Sequence, residues 1–121
     1  MLTMRSFPPT SSYLGLILLP LALSAPAQAE KLPPIWGYGV QSCTAFLQAA
    51  EEKAQGREYQ RYEDWLTGLI TGLNLATGQD VLIGLNMKSA LQRIQVHCQG
   101  HKEQDFFNAA MDLIRTISKL H

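Results

Sequence analysis

The chain has 121 residues, 46% of them hydrophobic, with ten basic and ten acidic residues and a formal charge of zero. A length of this order supports one domain with a modest core and excludes two. The balanced charge excludes a polycation built to hold nucleic acid or an anionic membrane surface.

The N-terminus reads as a leader. Arg5 supplies a short positive region, residues 13–23 are almost wholly apolar, and Ala27-Gln28-Ala29 provides the small-x-small site at which a signal peptidase cuts. A membrane anchor needs roughly 20 consecutive apolar residues, whereas this run has 11 and contains Pro20. Cleavage after Ala29 is expected, giving a signal peptide over 1–29, a mature chain from Glu30 with a net charge of −1, export to the periplasm and no stable membrane insertion. Both cysteines, Cys43 and Cys98, lie in the mature part. In an oxidising compartment an even, minimal cysteine count pairs, and here one intramolecular connectivity exists; two free thiols or an intermolecular bridge are the alternatives. A bridge closing about 56 residues stabilises by about 4 kcal/mol in the chain-entropy model.

Residues 30–39 read as a linker with an aromatic segment, because Pro33 and Pro34 cannot propagate a helix. The helical domain is expected over 40–121. Val40, Cys43, Phe46, Leu47 and Ala50 recur at helical spacing over 40–54, with Gly56 as a stop. A longer helix is predicted over 58–77, with Tyr62, Leu66, Leu69, Ile70 and Leu73 as its apolar stripe and Gly78 ending it. Within it Gly68, Gly72 and Ala76 recur every four residues. Helix-interior glycines cost roughly 1 kcal/mol each relative to alanine, so this ridge is expected to offset that cost by letting another backbone approach closely.

Residues 78–85 read as a loop in which Val81, Leu82 and Ile83 plug one end of the core. Asn86 is a good N-cap for a third helix carrying Met87, Ala90, Leu91, Ile94 and Cys98, with Gly100 at its end. The last helix, over 103–119, presents Phe106, Phe107, Ala110, Leu113, Ile114, Ile117 and Leu120 on a broad apolar face, with Asp105 in its first turn. The expected fold is all-α, a compact bundle of about four helices closed by one disulfide.

Catalytic and metal-binding patterns are thin. His97 and His101 share the four-residue spacing of a helical metal pair, but Gly100 falls between them and no third ligand stands at a helpful offset, so solvated histidines are expected. Glu63 and Asp64 are adjacent and point about 100 degrees apart on a helix, which does not place two carboxylates on one substrate bond. Ser42, Ser89 and Ser118 have no helically spaced His partner. The expectation is a non-enzymatic protein with no cofactor and no resident metal. Trp36, Tyr38, Trp65 and Asn74 remain as candidates for either core packing or contact with a partner.

The aromatic and glycine segment before Cys43, the stretch Trp65-Leu66-Thr67-Gly68-Leu69-Ile70-Thr71-Gly72-Leu73-Asn74, the helix ending in Val96-His97-Cys98 and the Ala-containing closing helix together resemble the HdeA/HdeB-like family of small periplasmic helical proteins. The resemblance covers most of residues 36–120. It implies an acid-stress chaperone, a folded homodimer at neutral pH that opens in acid to hold unfolded clients. In acid the carboxylates lose charge while nine Lys or Arg and three His stay positive, moving the mature chain to +12. A second resemblance, to Rap/Tai-type immunity proteins, implies instead a binding protein that stays folded and blocks one specific effector or enzyme.

Overall fold

A computed structural model describes residues 33–52 and 56–120. The expected leader, its cleavage site and residues 30–32, 53–55 and 121 lie outside the described residues. Among the described residues there are four α-helices, α1 (Cys43–Glu52), α2 (Arg57–Thr77), α3 (Met87–Gly100) and α4 (Phe106–Leu120), preceded by a 3-10 turn at Gly37–Val40. The fold is all-α, as the periodicity predicts.

The helix ends follow from their capping residues. The Ser42 hydroxyl accepts the Ala45 amide at 3.0 Å, satisfying one of the orphan donors at the start of α1. Asn86 Oδ1 does the same for the Ser89 amide at 2.8 Å and opens α3. Asp105 Oδ1 accepts the Asn108 amide at 2.7 Å, which places Asp105 just ahead of α4 as its cap rather than inside its first turn. α2 ends at Gly78, which sits at φ 71°, a left-handed conformation open to glycine without steric cost.

Cys43 and Cys98 are bridged, with their Cα atoms 5.2 Å apart and both residues fully buried. The bridge ties the first turn of α1 to the last turn of α3. Beside it the segments entering α1 and α4 pair as a single antiparallel bridge between Ser42 and Asp105. Its two hydrogen bonds, from the Cys43 amide to the Gln104 carbonyl and from the Phe106 amide to the Gln41 carbonyl, are both 2.8 Å long. Around this junction Phe46, Tyr62 and Phe106 form an aromatic centre, with ring centroids 4.7–5.1 Å apart in tilted and edge-on arrangements. Leu66, Leu91, Ile94 and Ala110 are among the buried side chains that pack around this centre.

Two expectations about close packing are corrected here. The 3-10 turn, read as part of a linker, lies against α2 and α4 and belongs to the domain. It is at this turn that a backbone approaches a side chain closely: a Cβ placed on Gly39 would lie 2.1 Å from the Trp65 ring, and Gly37 at φ 80° lies under the same indole. The ridge of Gly68, Gly72 and Ala76, by contrast, is exposed, and a Cβ on either glycine meets nothing within 4 Å. Spacing placed the three residues on one face of α2 correctly, but that face is opposite the core stripe.

The contrast is measurable. Gly39→Ala should force Trp65 out of its seat, lowering stability by about 1–3 kcal/mol, the usual cost of overpacking, and red-shifting tryptophan emission. Gly68→Ala with Gly72→Ala should stabilise by about 1–2 kcal/mol through helix propensity alone. Thermal melts would read the two with opposite signs, at roughly 4–8 °C per kcal/mol.

Burial also raises the Tyr62 phenol to about 12, with Glu58 and Tyr38 adding to the shift; Tyr59 is raised by burial and then by Glu63. A raised value favours the protonated, neutral phenol in the folded chain, so its stabilising effect is complete below the unfolded value of about 10. That stabilisation should be lost as pH rises from about 10 to about 12. Near-ultraviolet titration of tyrosinate, run alongside melts, should show the last phenols ionising as the protein unfolds.

Candidate functional site

Of the four residues held between core and partner contact, three are engaged internally. The Tyr38 ring packs edge-on against Tyr62 at 4.9 Å, and its hydroxyl donates to Glu58 at 3.1 Å while accepting from Arg61 at 3.3 Å. The Trp65 indole N–H donates to the Trp36 carbonyl at 2.8 Å, and its ring meets Phe106 and Phe107 edge-on. Asn74 Oδ1 accepts the Val81 amide at 2.8 Å, fastening the loop after α2 to the helix. The Trp36 side chain alone of the four lies open, 78% exposed.

The histidine pair has a different geometry from that of a metal chelate. The rings of His97 and His101 stack 4.1 Å apart and 6° from parallel. His97 Nε2 lies 2.8 Å from Gln104 Oε1 and 3.4 Å from Asp112 Oδ2, and Asp112 also pairs with Arg115. His101 Nδ1 is 3.0 Å from the His97 carbonyl; a carbonyl only accepts, so that nitrogen carries the proton. The cluster fastens α3 to α4. Among the described residues no group of three or more His, Cys, Asp or Glu side chains is placed to hold a metal ion.

The surface that remains unexplained is built around the loop between α2 and α3. Asp80 organises it: Oδ1 accepts the Leu82 amide at 3.0 Å and Oδ2 the Gly84 amide at 2.7 Å. Leu82 is driven into the core, 4% exposed, as the expected plug. Ile83 is not part of that plug. It is 43% exposed and held at φ 51°, a left-handed backbone that a β-branched residue adopts at a cost of about 1–2 kcal/mol. Beside it run two shallow hollows. One, of about 230 Å³, is lined by Leu82, Ile83, Gly84, Leu85, Arg93 and Ile117. The other, of about 360 Å³, is lined by Leu85, Ser89, Gln92, Arg93 and Val96, and Val96 is 68% exposed.

Sequence reading missed Ile83, Arg93 and Val96 as a group. One signal was present: Val96 falls outside the α3 stripe of Met87, Ala90, Leu91, Ile94 and Cys98. An apolar residue out of phase with its own helix is a candidate for contact beyond the domain. Nothing in the sequence shows that the loop would carry Ile83 to the same face.

Comparison with family models, with curated proteins and with solved structures finds no match to this chain.

The strain at Ile83 yields a direct expectation. Ile83→Gly should leave the melting temperature unchanged or raise it by a few degrees, because glycine occupies a positive φ freely. A clear drop in a calorimetric melt would mean that the exposed side chain contributes packing that outweighs its backbone cost.

Proposed function

We propose that this chain is a non-enzymatic binding protein of an oxidising, extracytoplasmic compartment, and that it recognises another protein while folded. The observation that carries this reading is the loop at Ile83, where an Asp80-organised backbone holds a half-exposed β-branched side chain in a strained conformation in a hollow it shares with Leu85 and Arg93, the two residues that also line the hollow of the exposed Val96. Backbone strain concentrates where a surface has a task. Solvent-facing apolar side chains beside a shallow hollow suit contact with a protein. The compartment is supported by the buried Cys43–Cys98 bridge together with the leader pattern ending at Ala29. The reading accords with the resemblance to immunity and inhibitor proteins that block one target.

A second reading, the acid-stress chaperone implied by the HdeA/HdeB-like resemblance, has its own support. Glu58, Asp80, Asp105 and Asp112 each fasten a joint of the fold: the 3-10 turn to α2, the interhelical loop, the start of α4, and α3 to α4. The core they surround contains no buried charged residue among those described and is crosslinked. In acid the chain's net charge becomes strongly positive and its basic side chains repel one another, while the crosslink persists.

The two readings part on pH. Sedimentation velocity and near-ultraviolet circular dichroism at pH 7 and at about pH 2.5, the range of acid-expanded states, would be paired with light scattering of an acid-aggregating client and with crosslinking to envelope proteins at neutral pH. Recognition in the folded state predicts one stoichiometric partner at pH 7 that is lost on Ile83→Asp. Suppression of client aggregation in acid alone, with no neutral partner, would replace that reading with the chaperone.

A further inference from the structure

We infer that the two hollows flanking Arg93 are one docking groove for an extended segment of a partner protein that carries a carboxylate between apolar side chains. This rests on the reading that the folded domain binds protein, and names the chemistry of what it binds.

Arg93 lines both hollows and, among the described residues, is the charged residue in each, with no carboxylate lining either one. Among the described residues its guanidinium makes no ion pair and no side-chain hydrogen bond, whereas Arg61 pairs with Glu58 and Arg115 with Asp112. The helix beneath shares the bias: α3 carries Lys88, Arg93 and His97 and no acidic residue. An Arg fork meets a carboxylate with two parallel charge-assisted hydrogen bonds. On either side of that fork stand apolar side chains, Ile83 and Ile117 in one hollow and Val96 in the other, with Leu85 shared between them. An acidic residue on Arg93 with an apolar neighbour in each hollow satisfies the whole surface.

Size and charge select a peptide over other anions. The smaller hollow, about 230 Å³, falls below the roughly 300–1,000 Å³ of small-molecule and cofactor sites and the larger, about 360 Å³, sits near the lower bound; each is of a size for single side chains. Nucleic acid or an anionic bilayer is held by many cations together, typically about 6–10 phosphate contacts or a cluster of about 4–8 basic residues. This groove offers one.

The test is a selection of random displayed dodecapeptides on the purified, oxidised protein at pH 7, with Arg93→Gln as the counter-selecting surface. The expected enrichment is an Asp or Glu flanked by Leu, Ile, Val or Phe. A synthetic peptide of the enriched sequence should shift amide resonances of residues 82–85 and 89–96. Arg93→Gln should weaken its binding roughly ten- to hundredfold, the loss of a charge-assisted pair. Replacing the peptide's acid by its amide should do the same, and the two changes together should cost little more than either alone. Arg93 is solvent-facing, so its replacement leaves the fold intact, which circular dichroism verifies; Ile83→Gly supplies a second variant, folded and weaker in binding. Enrichment that ignores Arg93, or resonance shifts elsewhere on the domain, would overturn the groove while leaving folded-state recognition standing. Arg93-dependent binding of phosphatidylglycerol vesicles without any enriched peptide, or shifts produced by protein concentration alone, would overturn it in favour of a lipid or a second copy. No enriched peptide together with no neutral crosslinked partner would remove both readings.

Discussion

Three of the four helices are positioned by the junction at which Ser42 and Asp105 pair across the fold beside the buried Cys43–Cys98 bridge. The backbone bonds there fix the entry of α1 against the entry of α4, and the bridge fixes the same end of α1 to the exit of α3. Three helices therefore share one covalent and hydrogen-bonded corner. Phe46 and Phe106, each within the first turns of its helix, are brought into contact by that corner, and α2 is added to it through Tyr62 and Leu66. In a domain this small, hydrophobic burial leaves a narrow margin over chain entropy. A crosslink that restricts the unfolded chain is correspondingly large beside that margin.

The periphery is held by a different kind of interaction. Carboxylates at Glu58, Asp80, Asp105 and Asp112 organise turns and helix junctions through hydrogen bonds and ion pairs, most of them open to solvent. Solvent-exposed pairs contribute roughly 0–1 kcal/mol each. Their role is geometric: Asp80 decides where Leu82 and Ile83 point, and the Gln104, His97 and Asp112 contacts set α3 against α4. Separation of an uncharged, crosslinked core from charge-held joints lets the surface loop be shaped independently of the core. The strained Ile83 depends on that independence, since the cost at one loop residue is met by the stability of the whole corner.

Much of this was legible in one dimension. The spacing of Tyr62, Leu66 and Ile70, of Ala90, Leu91, Ile94 and Cys98, and of Phe106, Ala110, Ile114 and Ile117 identifies the buried faces because helical periodicity is a local property. Ser42, Asn86 and Gly78 punctuate the helices by equally local chemistry, a side-chain acceptor or freedom at positive φ. Leu120, placed on the α4 apolar face by the same periodicity, is 71% exposed because the helix there has run past the core.

What the sequence by itself determined is the all-α class, the number and phase of the helices, and a cysteine pair whose simplest connectivity is the one observed. Each follows from interactions between residues close in the chain or from there being one pairing to make. Tertiary structure decided which glycines are crowded and which are bare. Gly39 lies under Trp65, 26 positions away, while the regular ridge of Gly68 and Gly72 faces solvent. It also decided that Ile83, Arg93 and Val96 share a face, since a loop conformation set by Asp80 and Asn74 carries the first of them onto the flank of α3. Periodicity reports the phase of a residue on its own helix; it contains no information on the rotation of one helix about another, and a binding surface is assembled from that rotation.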